Sequence, residues 1–253
     1  MTEVLVLDRL SKQIGGVQIN RDVSVRLAAG ERRALIGPNG AGKTTLMNMA
    51  AGSMRPSSGR VLLGGQDVTR LPVHRRARRG LARTFQITNL LPAMTVGENL
   101  ALAVQAGSAR RFDPVRRWSR TGPVWQRVDE LLEQGSLGPI REVPVGQLPY
   151  GQQRRLEIVV AVARPCDVIL LDEPGAGLST EETEELLSLV FGLDPDLAVM
   201  FIDHDVDLAF RLATQVTVLH LGEVVAEGSP DEVRSASILN EIYLGGVGHA
   251  RGV

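Results

Sequence analysis

Cysteine occurs once in 253 residues, at Cys166. A single thiol excludes an intrachain disulfide and a cysteine-based zinc cluster. It fits a reducing, cytosolic compartment. Aromatic residues make up only 4%. No basic run is interleaved with rings on which bases could stack, so the pattern does not point to nucleic acid. Lysine is nearly missing: Lys12 and Lys43 are the two lysines among 28 basic residues. In a chain that uses arginine almost everywhere, a lysine at a defined spot invites a chemical reason. Long apolar runs are lacking too. None exceeds six residues, as in Ile158 to Ala163, whereas a membrane-spanning helix needs about 20. The N-terminus has no basic stretch followed by an apolar one, so no secretory signal is expected.

What is present reads as a globular protein. Apolar residues make up 43% and charged ones 23%, too apolar for a disordered chain. The length suits one domain, or one domain with an inserted lobe. The formal charge of −1 hides an asymmetry: residues 1–171 hold 25 basic and 13 acidic residues, and residues 172–253 hold 3 and 16. The basic portion suits an anionic ligand or a lipid surface, or it is simply a solvated face.

Apolar patterning predicts strands at Val4–Leu7, Val23–Leu27, Arg33–Ile36, Arg60–Leu63, Asp167–Leu171, Leu197–Ile202, Val216–Leu219 and Glu223–Ala226, with Leu81–Phe85 extended. Helices are expected at 43–51, 72–79, 95–105, 125–134, 151–164, 180–192 and 205–212, and two short ones at the end. Residues 106–122 are loop-like and basic, and 135–149 read as a Gly/Pro-rich connection. Strand–helix–strand alternation around a mostly helical stretch from 95 to 164 suggests a parallel α/β core with a helical insertion.

Two segments carry chemistry. Gly37-Pro38-Asn39-Gly40-Ala41-Gly42-Lys43-Thr44 matches G-x-x-x-x-G-K-[ST], after a strand and before a helix. Glycines let backbone N–H groups turn inward around phosphate oxygens, and the helix adds its free N–H groups and positive dipole end. Lys43 supplies a compact charge to the β- and γ-phosphates, and Thr44 a hydroxyl to Mg²⁺; Thr45 continues the phosphate-binding run. Val168-Ile169-Leu170-Leu171-Asp172-Glu173 is an apolar strand ending in two carboxylates. Such a strand delivers them to a phosphate site at the sheet edge. Asp172 would hold the Mg²⁺ shell and Glu173 would polarise the attacking water.

With these motifs in this order, the chain resembles the ATP-binding cassette (ABC) ATPases over nearly its whole length. The resemblance rests also on Gln86 in Arg83-Thr84-Phe85-Gln86, on Leu148-Pro149-Tyr150-Gly151-Gln152, on Gly175-Ala176-Gly177-Leu178-Ser179, and on His204 in Ile202-Asp203-His204-Asp205. It implies a P-loop NTPase (RecA-like) α/β core with an antiparallel β subdomain and an inserted α-helical subdomain. The expected divisions are 1–87 with 165–228 as nucleotide-binding core, 88–164 as helical signature subdomain, and 229–253 as tail. It implies ATP and Mg²⁺ as ligands, and Lys43, Gln86, Glu173 and His204 as catalytic. Thr44, Gln86 and Asp172 would be metal ligands. Tyr150, Gly151 and Gln152, in the signature position, would close over nucleotide held by a second ATPase subunit, in a homo- or heterodimer. The other implied partners are integral-membrane permease subunits, with this chain peripheral on the cytoplasmic face.

Three positions depart from the family pattern. Ile14 stands where an aromatic residue commonly stacks on adenine, and offers apolar contact without a π-face. Pro149 replaces the usual serine of the signature and removes both a hydroxyl and an N–H. Ser179 stands where Asp or Asn is common. These favour a weakened or asymmetric pair of sites. Within the family the likeness is nearest to ATP-binding subunits of branched-chain amino-acid importers. It is carried by Met94-Thr95-Val96-Gly97-Glu98-Asn99-Leu100, Tyr150-Gly151-Gln152-Gln153-Arg154-Arg155-Leu156-Glu157-Ile158 and Ile242-Tyr243-Leu244-Gly245. Lipopolysaccharide exporters and urea importers share parts of it. The basic segment Arg110–Arg120, with Trp118 and Trp125, either approaches anionic headgroups or is a solvated loop with a packed tryptophan. Cys166, before a buried strand, reads as a small apolar filler.

Overall fold

In the computed structural model, which describes residues 2–84, 90–106 and 122–236, β1 (Glu3–Ile14) and β2 (Val17–Ala28) form a long hairpin. It turns at Gly15 and Gly16, both in the left-handed region, which glycine enters at no steric cost. After β3 (Arg32–Ile36) and α1 (Lys43–Ala51), the strands β4 (Ser58–Leu63) and β5 (Gln66–Asp67) complete an antiparallel sheet of order β2-β1-β4-β5. The hairpin strands outrun their apolar patterns because register shifts admit polar residues without ending the pairing.

A second sheet is built on parallel pairing. α2 (Val73–Ala77) leads into β6 (Leu81–Arg83), and β7 (Val168–Asp172), β8 (Ala198–Ile202), β9 (Gln215–His220) and β10 (Glu223–Gly228) follow. The order is β10-β9-β3-β8-β7-β6, with only β10 antiparallel to its neighbour. Every residue of β7 and β8 is buried, as expected of parallel strands covered on both faces. Their side chains alternate between two cores. Ile36, Ile169, Leu171, Val199 and Phe201 pack with the helical lobe. Leu35, Leu170, Met200 and Ile202 pack with α1 and the antiparallel sheet. The α/β expectation, with its antiparallel sheet and inserted helices, is met.

The lobe lies between β6 and β7 in sequence and comprises α3 (Val96–Gln105), α4 (Pro123–Gln134) and α5 (Tyr150–Ala161). α3 starts where Thr95 and Glu98 form a reciprocal capping box. The connection at 135–149 contains two 3₁₀ turns, Gly138–Ile140 and Val145–Gln147. Trp125 is buried, with the Arg141 guanidinium 5.2 Å over its ring, so it is the packed tryptophan of the second reading. Arg110–Arg120 and Trp118 lie outside the described residues. α6 (Thr180–Phe191), α7 (Val206–Leu212) and α8 (Pro230–Ser235) complete the described chain, and the rest of the expected tail lies outside it. Among the described residues, no helix is long and apolar enough to cross a membrane.

Candidate nucleotide site

β3 ends buried at Ile36, and the glycines then bend the chain. Gly37 has φ +145, and a Cβ there would lie 2.0 Å from the Leu219 carbonyl oxygen. Gly42 has φ +94, with the Asn20 amide donating to its carbonyl at 3.2 Å. Gly40, at φ +81, faces open space. Lys43 opens α1 and folds back, its ammonium donating to the carbonyls of Gly37 at 2.6 Å and Pro38 at 2.9 Å. That closes the loop into a ring. Burial holds the Lys43 pKa below its ordinary 10.5, opposed by the Glu173 carboxylate. No side chain caps α1 and no acidic residue stands in its first turn. Its N-terminal N–H groups and dipole therefore suit an anion.

The next strand ends beside this loop. Asp172 is 2% exposed. Its Oδ2 accepts from Arg83 Nη2 at 3.3 Å, and its Oδ1 has no partner among the described residues. An orphaned buried carboxylate oxygen suits a hard cation such as Mg²⁺. Glu173 follows with a side chain 39% exposed and φ +48, a left-handed conformation costing roughly 1–3 kcal/mol in a non-glycine residue.

His204 follows β8. Its Nδ1 lies 4.0 Å from Glu173 Oε2 and 3.7 Å from Asp203 Oδ1. Asp203, buried, accepts from the Gly175 N–H at 3.2 Å and the Asp205 N–H at 2.9 Å. It therefore ties the loop after the acidic pair to the loop bearing the histidine. Because β3, β8 and β7 are parallel neighbours, Gly37, His204 and the Asp172–Glu173 pair emerge at one sheet edge, where α/β sheets hold ligands.

The remaining expected residues stand apart. Ile14, 47% exposed, pairs across the hairpin tip with exposed Val17. Tyr150, Gly151 and Gln152 form the first turn of α5 behind Pro149. Tyr150 is 49% exposed, and Gly151 packs so tightly on Glu182 that a Cβ would meet Oε1 at 2.2 Å. Ser179 is the N-cap of α6, in a capping box with Glu182, which gives its hydroxyl a local purpose. Gln86 lies outside the described residues. Thr44 is exposed and Thr45 half-buried at the start of α1. Burial pushes the Cys166 thiol up to about 11, with Asp167 and Asp194 adding to the shift, in keeping with an inert filler. Sequence reasoning passed over Asn20, Arg83, Arg154 and Asp203. Asp203 did carry a signal: like Asp172, it directly follows an unbroken apolar run.

The family profile described as ABC transporter matches residues 20–176, more than half of the chain. The chain belongs to the ABC transporter family. This ATP-binding cassette is 33% identical over 250 residues to the high-affinity branched-chain amino acid transport ATP-binding protein BraF of Pseudomonas aeruginosa, covering 96% of this chain and 98% of that one. It is 34% identical over 250 residues to LivG of Escherichia coli, the corresponding transport ATP-binding protein, with the same coverage. It is 34% identical over 246 residues to the lipopolysaccharide export system ATP-binding protein LptB of Acidithiobacillus ferridurans, covering 97% of this chain and 98% of that one. Among solved structures, the ADP conformation of an ATP-binding cassette of an ABC transporter superposes with a TM-score of 0.83 at 27% identity, covering 97% of this chain and 100% of that chain. A dimeric post-hydrolysis cassette bound to ADP and Pi gives 0.74 at 25% identity, with 89% and 98% covered.

Proposed function

We propose that this cassette binds Mg²⁺-ATP and hydrolyses it to ADP and phosphate, driving import of branched-chain amino acids or similar small solutes through partner permease subunits. The observation that carries the reading is the convergence of the lysine-closed glycine loop, Asp172, Glu173 and His204 at one sheet edge. The names of BraF and LivG support the cargo class. The assignment places the chain peripherally, on the cytoplasmic side of those permeases.

Each residue has a task in moving a phosphoryl group to water, where positioning and charge neutralisation matter more than covalent chemistry. The free N–H groups of the glycine loop and the start of α1, together with the Lys43 ammonium, bind the β- and γ-phosphates, and Ile14 covers the base by apolar contact. Thr44, Asp172 and Gln86 would hold Mg²⁺, which supplies charge neutralisation on the phosphate oxygens. Glu173 accepts a hydrogen bond from water and aims its oxygen at the γ-phosphorus. As the new P–O bond forms and the bond to the ADP oxygen breaks, the water proton passes toward Glu173 or the departing phosphate. His204, its ring near Glu173, donates to a γ-phosphate oxygen. Tyr150, Gly151 and Gln152 close over the nucleotide of a second cassette.

The test is Glu173→Gln. ATP turnover is expected to fall by about 100-fold or more, the range for a lost general base, while equilibrium ATP binding persists. Equal turnover in the two proteins would sink the reading.

Pro149 favours a second, compatible reading, in which this chain works opposite a different cassette. It stands at the N-cap position of α5 with extended backbone and no side-chain cap. A donor to a charged acceptor, worth about 1.5–3 kcal/mol, is therefore missing from the site that this helix closes. The LptB likeness leaves a lipid-exporter cargo as the alternative to a solute importer.

A further inference from the structure

A buried cation at the end of β7 has no part in the chemistry above. Arg154, one turn into α5, is 5% exposed. Its Nη2 donates to the carbonyl oxygens of Asp172 at 2.5 Å and Glu173 at 2.8 Å, and its Nε reaches the Pro174 oxygen at 3.4 Å. Its Nη1 pairs with Glu157 Oε2, also buried, at 2.7 Å. Three consecutive carbonyls thus converge on one guanidinium. They belong to the turn in which Glu173 takes its left-handed conformation, which surrounding structure must enforce. The Glu173 N–H is held from the other side, donating to the Ile202 oxygen at 2.9 Å. So the residue is gripped at its N–H by β8 and at its carbonyl by α5.

We propose that Arg154 is a positioning residue that fixes the backbone of Glu173, and with it the aim of its carboxylate, and makes that aim depend on the placement of α5. The inference rests on the proposed role of Glu173 in ATP hydrolysis. The same helix begins with Tyr150-Gly151-Gln152, the segment assigned to the nucleotide of a second cassette. It is tied down beside α6 by the Gly151–Glu182 contact and an Arg155–Glu185 pair at 3.4 Å. A displacement of α5 when two cassettes close therefore reaches Glu173 within one chain, through a planar fork of donors. Lysine retains the charge but not the fork, because its compact ammonium does not reproduce the planar spread of donors that serves three carbonyls and Glu157 at once. The buried Glu157 keeps the guanidinium oriented.

The experiment compares the full chain with Arg154→Lys, Arg154→Gln, Glu173→Gln and the double variant Arg154→Lys/Glu173→Gln. Turnover is measured over a range of Mg²⁺-ATP, ATP binding at equilibrium, and melting temperature alongside. Arg154→Lys is expected to lower kcat by about 100-fold, the loss that a misplacement near 1 Å produces, with KM changed less than about twofold. The double variant should bind ATP like Glu173→Gln and show no further loss of residual turnover, because Arg154 acts through the residue already removed. Wild-type kcat in Arg154→Lys overturns the proposal. So does a raised KM with kcat intact, or a loss that adds in full to that of Glu173→Gln. Failure of both Arg154 variants to fold also overturns it, since the role is then scaffolding alone. Absence of turnover in the unmodified chain, or full turnover in Glu173→Gln, instead defeats the ATPase reading and is visible before any Arg154 variant is made.

Discussion

Lys43 is half out of water before any ligand arrives, held by two carbonyls and depressed in pKa by that burial. Its protonated form is the one that meets a polyanion. Affinity for ATP should be full well below the lowered Lys43 pKa and should fall as pH rises through it. That fall comes earlier than the ordinary value of 10.5 would place it, because the free protein releases the proton more readily than an exposed lysine. Calorimetric ATP titrations across the alkaline range check this, and a constant affinity up to 10.5 would count against it. Asp172 is the mirror case. Its buried Oδ1 meets no donor among the described residues, which suits a cation.

Among the elements, the loop from β3 to α1 sorts its glycines by what surrounds them. Gly37→Ala drives a methyl against a backbone oxygen, whereas Gly40→Ala points one into open space. Both pay the left-handed strain of roughly 1–3 kcal/mol, but only Gly37→Ala adds a clash that β9 cannot relieve. Chemical denaturation should therefore show Gly37→Ala as the more destabilised of the two by at least about 1 kcal/mol. The parallel strands and the glycine loop were legible in the sequence, since unbroken apolar runs and a fixed glycine spacing leave few alternatives. The length of β1 and β2 was not, because polar residues such as Asp8 and Arg9 sit at register shifts inside the pairing. Nor was the Arg154 grip. An arginine on a predicted helix looks the same whether it meets water or three carbonyls, and only the approach of α5 to the end of β7 decides.

Across the whole molecule, the charge imbalance between the two portions of the chain is partly settled by pairing between them. Arg21 meets Glu223, Arg33 meets Glu227, Arg83 meets Asp172 and Arg155 meets Glu185. The basic portion is thus not one uninterrupted face awaiting an anion. The two cores share a single sheet. Phe201 and Met200, adjacent on β8, belong to different ones. Phe201→Ala and Met200→Ala should each cost roughly 2–5 kcal/mol and leave one cooperative thermal transition, which calorimetry reads directly. Two separate transitions would mean that the cores fold apart. The neighbouring strands β6 and β7 run parallel, with Leu81 beside Val168, so the chain must leave one edge of the sheet and come back to the other. An ordinary protein makes that return with one helix. Here residues 84–167 make it, which means that the whole lobe is an overgrown bridge. Its threading leaves the strand order untouched, so the stretch of the bridge before α5 can change in length without moving a strand, whereas α5 itself stays moored to the end of β7 through Arg154.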